Sequence, residues 1–260
     1  MIRLDLYLSS FGYVKSRQKA KSLIEDGYVL VNSQKITKPS FLIDEDKEHE
    51  IQISDPCPYV SRGGLKLEGA IKGSGIDVFG KIAIDIGAST GGFTDCLLKH
   101  GAKQVFSVDS GNNQLHESLR ADKRVVSIEN YNARAICYED IGSFCDIITI
   151  DVSFISQTYI LPNAVRLLND DGLYFSLIKP QFEVGKEKIG KGGIVKNPKD
   201  RAFSVKKVID CAKENGLFCI YFNISPILGG DGNVEYIAVF SKNPQAVIEF
   251  NQIEKKVLGK

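Results

Sequence analysis

A lysine followed by a proline ends an apolar run in LIKPQFE, residues 177–183. Burying an ammonium group is unfavourable and proline removes a backbone donor, so we expect the strand to stop at Lys179. Lys179 is either an ordinary solvent-exposed lysine at the end of a strand or a catalytic amine at the carboxyl edge of a parallel sheet. Active and binding sites of α/β proteins lie at that edge. The fragment alone favours the ordinary lysine, so other parts of the chain must decide.

Glycines in IDIGASTGGF, residues 84–93, form a second candidate site, between an apolar strand and a helix. Gly87 permits a tight turn, and Gly91 with Gly92 would let the backbone approach a ligand closely. Amide groups at the start of the helix would favour an anionic group. The spacing G-x-x-x-G-G departs from the dinucleotide fingerprint G-x-G-x-x-G, and a purely structural turn is the alternative.

An acid, Asp109, ends the next strand, where a carboxylate can accept hydrogen bonds from both hydroxyls of a ribose. NAD-dependent enzymes and S-adenosylmethionine-dependent enzymes both use this arrangement. The loop and the acid together indicate a nucleoside-containing cofactor without deciding which one.

These residues lie in a pattern of alternating strands and helices. Five near-continuously apolar strands are predicted, at residues 81–86, 104–109, 125–129, 146–151 and 173–179. Helical segments separate them, among them residues 92–101 and 156–170. Two last strands, residues 217–225 and 235–242, are joined by a loop too short for a crossover helix and should pair antiparallel. The pattern predicts an α/β fold with a doubly wound, mostly parallel sheet.

The N-terminal part has a different pattern of predicted secondary structure. In KSRQKAKSLIEDG, residues 15–27, Ala20, Leu23 and Ile24 mark one buried helix face, with Ser16 as N-cap and Gly27 at the helix end. Short strands at residues 28–32 and 49–53 complete a small α+β domain. Residues 1–38 carry a net charge of +4 and residues 39–60 a net charge of −5, which indicates a basic face near the N-terminus.

Two prolines in three residues place a boundary within SDPCPYV, residues 54–60. The predicted organisation is a small domain at residues 1–55, a linker at 56–61, a larger domain at 62–245 and a C-terminal tail at 246–260.

Composition limits the class of protein. Hydrophobic residues make up 43% of the 260 residues and charged residues 25%, as in globular proteins. The six cysteines form no C-x-x-C pair, so neither zinc nor disulfides are indicated and a reducing compartment is expected. No apolar run approaches the ~18 residues of a membrane helix, and the N-terminus lacks a signal-peptide core. A soluble cytoplasmic protein is expected.

The N-terminal segment resembles the RNA-binding domain named after ribosomal protein S-four. The shared features are R-x-D-x-x-L from Arg3, the S-R-x-x-A helix, the G-x-V-x-V-N strand and K-P-S. Ser33 stands where that family usually has glycine, a departure confined to the turn. The resemblance implies that a basic surface contacts RNA phosphates, where charge neutralisation provides affinity without reading sequence. The candidate RNA-binding residues are Arg3, Lys15, Arg17, Lys19 and Lys21.

From Ile2 to about Lys242 the chain resembles the TlyA family of FtsJ-like RNA 2′-O-methyltransferases, which is also labelled haemolysin or cytolysin. The resemblance rests on DIGASTGGFTD, VDSG, DVSFIS, IKPQFEVG and SPILGGDGNVEY, in that order. It implies a Rossmann-like methyltransferase with a seven-stranded sheet. It also implies S-adenosyl-L-methionine as cofactor, ribosomal RNA or ribosomal subunits as partner, and methylation of ribose, typically on cytidine.

The FtsJ-like enzymes share a Lys-Asp-Lys-Glu tetrad, which falls here on Lys66, Asp151, Lys179 and Glu235. The resemblance implies that Lys179 contacts the 2′-hydroxyl as general base, that Asp151 and Glu235 position it, and that Lys66 binds substrate or tunes the cluster. A free lysine has a pKa of about 10.4, so a nearby lysine and partial burial would be needed to lower it. Taken singly, Lys66 could be a surface lysine, Asp151 a helix cap and Glu235 an exposed strand start.

The cofactor-binding residues implied in the same way lie in the glycine loop and after the following strands. They are Asp85, Gly87, Ala88, Ser89, Thr90, Gly91, Gly92, Phe93, Asp109, Asn132, Ala133 and Asp151. The glycine- and lysine-rich segment 183–198 is either a mobile loop that closes over RNA or a plain surface loop.

Two rival functions remain open. A nicotinamide-dependent oxidoreductase explains Gly87 and Asp109 but gives no role to the basic domain, Lys179 or the final hairpin. A non-enzyme, either a ribosome-binding factor with an inactive methyltransferase fold or a membrane-active haemolysin, is the second. The intact loop and tetrad disfavour an inactive fold, and the lack of apolar segments disfavours a pore.

Overall fold

The computed structural model of the chain describes residues 1–14, 16–54, 57–230 and 232–259. The chain divides into two compact units, Met1–Pro58 and Tyr59–Lys260. Residues 55 and 56, where the predicted first domain ends and the predicted linker begins, lie outside the described residues, as do Lys15 and Lys260.

The first unit is a pair of helices with short strands. Its elements are β1 (Ile2–Arg3), α1 (Leu4–Ser10), α2 (Arg17–Glu25), β2 (Val29–Val31), β3 (Gln34–Ile36), β4 (Leu42–Ile43) and β5 (Ile51–Ile53). Strands β3, β2 and β5 form an antiparallel sheet in that order, and β1 pairs with β4. As the spacing predicted, Ala20, Leu23 and Ile24 are buried on one face of α2. The Ser16 hydroxyl accepts a hydrogen bond from the Lys19 amide and caps the helix.

The turn between β2 and β3 explains why glycine is usual at position 33. Asn32 and Ser33 have φ values of 49° and 65°, so both are left-handed, as in the two-residue turns that favour Asn-Gly. Ser33 carries a side chain where the backbone favours none.

The second unit is an α/β domain. Its strands are β6 (Ile82–Ile86), β7 (Gln104–Val108), β8 (Val125–Ile128), β9 (Cys145–Ile150), β10 (Leu168–Ile178), β11 (Phe218–Ile224) and β12 (Tyr236–Ser241). Its α-helices are α3 (Gly63–Ser74), α4 (Gly92–Lys99), α5 (Glu117–Arg120), α6 (Tyr138–Ile141), α7 (Leu161–Ala164), α8 (Pro180–Glu183), α9 (Pro198–Glu214) and α10 (Phe250–Leu258). Short 3-10 turns connect several of them.

The seven strands form one sheet in the order β11-β12-β10-β9-β6-β7-β8. Strand β12 runs antiparallel to both of its neighbours, and the remaining pairs are parallel. The predicted mostly parallel sheet and antiparallel final pair are therefore confirmed. The chain winds outward from β6 in one direction and from β9 in the other, and ligands of such sheets bind at the carboxyl edge beside this switch point.

Two segments differ from their prediction. The expected helix over residues 156–170 is broken into α7, flanked by 3-10 turns, and β10 already begins at Leu168. Pro162 supplies no amide for a helix that continues through it, and the apolar run beyond it joins the sheet instead. The segment predicted as a tail contains α10, whose Ile253 and Val257 are buried in the core of the second unit.

In the parts of the chain that the structure describes, no helix combines the length and apolarity needed to cross a membrane.

Candidate active site

The carboxyl edge of the central strands collects three members of the predicted tetrad. Asp151 directly follows β9, and Lys179 directly follows β10. Ile178 at the end of β10 is paired with Tyr236 at the start of β12, so the flanking residues Lys179 and Glu235 continue that register. Strand β10 lies between β9 and β12, and the strand ends therefore bring these residues to the same edge of the sheet.

Lys179 forms an ion pair with Asp151. Its Nζ lies 2.5 Å from Asp151 Oδ1, and the two side chains are only 11% and 19% exposed. The same amine donates a hydrogen bond of 3.0 Å to the Ser153 hydroxyl. A lysine that merely solvated a strand end would extend into water, whereas this one is held against the end of the neighbouring strand.

Lys66 and Glu235 form the second pair. Lys66 Nζ extends from α3 and donates to Glu235 Oε2 at 2.6 Å, with side-chain exposures of 11% and 3%. The expectation that Glu235 would orient Lys179 is corrected by this contact, because the carboxylate holds Lys66 instead. The tetrad is thus two lysine–carboxylate pairs rather than one lysine surrounded by three partners.

Phe154 is a candidate that sequence reasoning missed. Its side chain is 93% exposed and its φ is 64°, an unusual combination for a large apolar residue. Its ring lies 5.3 Å from that of Phe182, which follows Lys179 by three residues. An exposed ring beside the Lys179–Asp151 pair could stack on a nucleobase. The sequence signal for it was an aromatic residue three positions after Asp151.

Gly87 is required by a close approach within the protein. Its φ is 82°, and a Cβ at this position would lie 2.4 Å from the carbonyl oxygen of Asp151. The glycine loop is therefore fixed directly against the residue that pairs with Lys179. Gly87 and Ala88 also donate their amides to the Val108 carbonyl at the end of β7.

Gly91 and Gly92 are required by close packing within the protein, and the ligand approach expected of their backbone stays a prediction. A Cβ on Gly91 would lie 2.2 Å from a methyl group of Leu119, and a Cβ on Gly92 would lie 2.3 Å from the Ser61 hydroxyl. The space left by the missing side chains is filled by the protein itself. Gly91 remains the N-cap of α4 with a φ of 93°.

Asp85 is buried and bonded internally, so the prediction that it contacts the cofactor is replaced by a structural role. Its carboxylate accepts hydrogen bonds from the hydroxyls of Thr94, at 2.7 Å, and Thr149, at 2.9 Å. Burial raises the pKa of Asp85 to about 6, and the neighbouring Asp151 adds to the effect while the two threonines oppose it. Asp85 thereby joins β6 to β9 and to α4 beneath the loop.

Asp109 fits a ribose-binding role. Its Oδ2 accepts the Ser89 amide at 2.7 Å and its Oδ1 accepts the Gly111 amide at 2.7 Å. Each carboxylate oxygen has a further lone pair, and the residue is partly exposed. The remaining loop residues divide by exposure: Ser89 and Thr90 are exposed, whereas Ala88 and Phe93 are buried.

The segment expected near an adenine lies beside Asp109. The Tyr131 amide donates to the Asp109 carbonyl at 3.0 Å, which places the following residues next to the acid. Asn132 is exposed, and its side chain accepts the Arg134 amide. Ala133 is partly exposed. Asp109, Asn132 and Ala133 could thus hold a nucleoside along the ends of β6, β7 and β8.

The glycine- and lysine-rich segment is anchored near Glu235. The buried Asn233 accepts the Val195 amide at 3.0 Å and donates to the Gly193 carbonyl at 2.9 Å. These two bonds fix one end of the segment to the chain just before Glu235. The sequence did not indicate this role for Asn233.

In the first unit, two of the candidate RNA-binding residues, Arg3 and Arg17, belong to an ion-pair cluster around Asp5. Asp5 is buried and accepts Arg3 at 2.9 Å and Arg17 at 2.9 Å. The Arg3 guanidinium, with a further contribution from Arg17, holds the pKa of Asp5 below its usual range against the opposing effect of burial. The two guanidinium groups remain about half exposed, and Lys21 lies near Glu25 at 3.8 Å. Lys15 lies outside the described residues.

This cluster explains the R-x-D motif physically. Asp5 on α1 binds Arg17 on α2, so the carboxylate joins the two helices. The arginine side chains bound to it remain about half exposed to solvent. Arg3 and Arg17 therefore have a structural role in addition to any contact with RNA, whereas Lys21 sits on the helix surface.

Comparisons with known proteins agree with this architecture. The FtsJ-like methyltransferase family matches residues 59–242, and the S4 domain matches residues 2–49. Hemolysin A of Brachyspira hyodysenteriae is 46% identical over 92% of this chain and 99% of that protein. The 16S/23S rRNA (cytidine-2'-O)-methyltransferase TlyA of Mycobacterium tuberculosis is 42% identical over 90% of this chain and 87% of that protein.

Solved structures show the same similarity. A structure from Streptococcus thermophilus that is labelled a hemolysin is 39% identical, with a TM-score of 0.79, over 99% of this chain and 94% of that one. The match over residues 59–242 and the identities with full-length relatives show that the chain belongs to the FtsJ-like methyltransferase family, with an S4 domain at its N-terminus.

Proposed function

We propose that this protein transfers a methyl group from S-adenosyl-L-methionine to the 2′-hydroxyl of a ribose in ribosomal RNA. The observation that carries the proposal is the Lys179–Asp151 pair, held at the carboxyl edge of the sheet beside the loop of Gly87. The relatives named as rRNA (cytidine-2'-O)-methyltransferases, at 42% and 36% identity, support ribosomal RNA as the substrate class and cytidine as the nucleotide.

The residues at the ends of β6, β7 and β8 suit this cofactor. Asp109 would accept the ribose hydroxyls with its remaining lone pairs, the loop backbone from Ala88 to Thr90 would line the cofactor, and Asn132 with Ala133 would contact the adenine. S-adenosylmethionine supplies a methyl group already activated by its sulfonium. The protein therefore needs to hold the acceptor hydroxyl in line and to remove its proton.

Lys179 is assigned both tasks. Its amine would contact the ribose hydroxyl and, in its neutral form, accept the hydroxyl proton. Asp151 fixes the position of the amine and stabilises the ammonium that results, while Ser153 supplies a second fixed contact. Positioning and proton removal by one group account for ~100- to 10,000-fold of rate in typical enzymes.

The second pair would act on the substrate without reacting. Lys66 is a cation held by Glu235 at the edge next to Lys179, where it can attract a phosphate or ribose oxygen of the bound RNA. Phe154 offers an exposed ring for stacking on a base, and the basic helix of the first unit would contribute phosphate contacts.

The test is methyl transfer to ribosomal RNA. Ribosomal subunits from cells that lack this protein are incubated with the protein and tritiated S-adenosylmethionine. The labelled position in the RNA is then mapped. Digestion of the RNA to nucleosides shows whether the label lies on the ribose or on the base. We expect label on a ribose 2′-oxygen, and none in RNA that carries a 2′-deoxy residue at the mapped position. Label on a base would contradict the ribose assignment. Calorimetry that finds tight NAD binding and no S-adenosylmethionine binding would replace the proposal by the oxidoreductase.

A further inference from the structure

Two chain segments run side by side from the active-site edge. One follows β9, from Asp151 to Gln157, and the other follows β10, from Lys179 to Glu183. Contacts join them at three levels. Lys179 pairs with Asp151 at the start, the rings of Phe182 and Phe154 meet in the middle, and Glu183 binds Ser156 and Gln157 at the far end.

The far contact depends on a buried carboxylate. Glu183 is 4% exposed, and burial raises its pKa although its hydrogen bonds oppose the change. One carboxylate oxygen accepts the Ser156 hydroxyl, and the other accepts the Gln157 amide at 2.9 Å. Lys207 on α9 lies 3.4 Å from the carboxylate and donates to the Ser156 hydroxyl at 3.2 Å.

The contact is also fixed to the sheet. The Gln157 side-chain amide donates to the Leu177 carbonyl at 3.2 Å, and its oxygen accepts the Ser176 hydroxyl at 2.5 Å. Both partners belong to β10, whose end carries Lys179. The segment after β9 is thus held to β10 and to the segment after it by bonds that converge on Gln157 and Glu183.

A buried carboxylate contributes little net stability to a domain. Its desolvation offsets much of what its hydrogen bonds and ion pair contribute, and apolar residues of similar volume commonly stabilise as well or better. The carboxylate instead fixes the relative position of the groups that it binds, because its two oxygens accept from the Ser156 hydroxyl and the Gln157 amide at the same time. That geometry specifies how residues 151–157 lie relative to residues 179–183.

We propose that Glu183 is a positioning residue for methyl transfer: by binding Ser156 and Gln157 it sets the alignment of Asp151 with Lys179 and the left-handed backbone of Phe154. The inference rests on the proposed function. Glu183 does not touch the reacting atoms in this assignment. It acts through the two segments that it joins, because Glu183 follows Lys179 by four residues and its partner Gln157 follows Asp151 by six.

The principal test is Glu183→Gln in the full-length protein. The amide group of glutamine replaces one acceptor oxygen by a donor. The oxygen that remains can still accept the Gln157 amide, so the bond donated by the Ser156 hydroxyl is lost at nearly unchanged volume. We expect the single-turnover rate on ribosomal subunits to fall by about 100-fold, the effect of a misplacement near 1 Å, while the dissociation constants for S-adenosylmethionine and RNA stay unchanged. Ser156→Ala removes the same bond from the other side, together with the contacts of the Ser156 hydroxyl to Thr158 and Lys207, and should lower the rate in the same direction, even where the glutamine variant folds poorly.

Val208→Ala is the matched control. Val208 is fully buried on α9 in the same core and takes no part in the bonds of Glu183, so its truncation destabilises the unit without altering the joined segments. We expect it to keep the wild-type single-turnover rate at temperatures where the unit is folded. An equal loss of rate in this variant and in Glu183→Gln would show that Glu183 matters only for stability and would overturn the inference.

Amide hydrogen exchange gives a readout that needs no activity. The Gln157 amide is bonded to Glu183 in the wild-type protein and should exchange faster in Glu183→Leu, which removes both acceptor oxygens, while the core of β9 stays protected. Unchanged exchange would show that Glu183 does not hold the two segments together. Faster exchange with an unchanged rate would refute its role in positioning. Wild-type protein without methyl transfer would instead refute the proposed function, and the exchange result would still decide whether Glu183 holds the two segments together.

Discussion

Lys179 Nζ lies 2.5 Å from Asp151 Oδ1, which joins the ends of two neighbouring parallel strands through one ion pair. The pair places an amine and a carboxylate at the edge of the sheet, with the Asp151 backbone against Gly87 of the glycine loop. The candidate acceptor-binding group and the candidate cofactor loop therefore share one residue as their junction. Substitutions can separate what each side contributes.

Lys179→Ala should lower single-turnover methyl transfer by ~100-fold or more with little change in S-adenosylmethionine affinity, because it removes the group that contacts and deprotonates the hydroxyl. Lys179→Arg should restore little, since a guanidinium keeps its proton at any accessible pH. Lys103→Ala, an exposed lysine just before β7, is the control and should be neutral. An arginine variant with near-native rate would show that Lys179 is not the base.

The Lys66–Glu235 pair should reveal the cost of an uncompensated buried charge. Glu235→Gln leaves the Lys66 ammonium without its anion and should lower the free energy of unfolding by about 3 kcal/mol. The double variant Lys66→Met with Glu235→Gln should recover much of that stability without recovering methyl transfer. Urea denaturation and the single-turnover assay measure the two effects. A double variant as unstable as the single one would mean that the pair is not coupled.

Asp85 should make stability depend on pH with a defined sign. Burial raises its pKa to about 6, above the value of about 3.9 in an unfolded chain, so the folded state holds the proton more tightly. The stabilisation from Asp85 is then fully present below about pH 4 and is lost as the pH rises through about 6. Relative to Asp85→Asn, the wild-type protein should lose about 3 kcal/mol in total between a pH well below 4 and a pH well above 6.

Urea denaturation of both proteins at several pH values between these limits measures the difference, because titrations shared by the two proteins cancel. A difference in unfolding free energy that does not change with pH would show that Asp85 titrates normally despite its burial.

The basic helix of the first unit should supply affinity that depends on salt. Lys19→Glu with Lys21→Glu avoids Arg3 and Arg17, whose bonds to Asp5 support the unit. Removing two phosphate contacts should lower the slope of log affinity against log salt by about 2. Lys81→Glu with Lys103→Glu changes the net charge equally in the other unit. Filter binding across a salt series would contradict the assignment if both double variants behaved alike.

The part of the candidate site that could be predicted from the sequence lies where predicted parallel strands end. Lys179 and Asp151 were predictable because apolar strands end before them and parallel strands end at one edge, and Ser16 was predictable because a capping residue is a local signal. The partner of Glu235 was not, since the choice between Lys66 and Lys179 depends on how α3 crosses the sheet. Gly91 and Gly92 likewise cannot reveal from spacing alone whether a ligand or Leu119 and Ser61 fill the space beside them.

Glu183 and Phe154 escaped sequence reasoning for a related reason. An acid in a short helix after a proline is usually exposed, and only the fold shows that Ser156 and Gln157 surround this one. Phe154 carried no periodicity that would distinguish a core aromatic from an exposed one. Its exposure became visible only with the backbone angle of residue 154.

Phe154 combines two properties that work against stability. A side chain at φ 64° costs about 1–2 kcal/mol relative to a relaxed backbone, and a ring that is 93% exposed recovers little by burial. Such a residue is best explained by a contact that forms only with a partner. Phe154→Gly should therefore raise the free energy of unfolding by up to about 1 kcal/mol, because glycine adopts this backbone without strain.

The same substitution should weaken function if the ring stacks on a base of the bound RNA. Stacking on an aromatic side chain is worth about 1–3 kcal/mol per base, so methyl transfer at subsaturating RNA should fall by about 10-fold or more. Phe154→Tyr keeps the ring and should retain both the wild-type rate and the wild-type strain. Thermal unfolding and transfer assays on the three proteins decide the matter, because a stacking residue requires that stability and activity move in opposite directions. A glycine variant that is both more stable and fully active would show that the ring contacts no substrate.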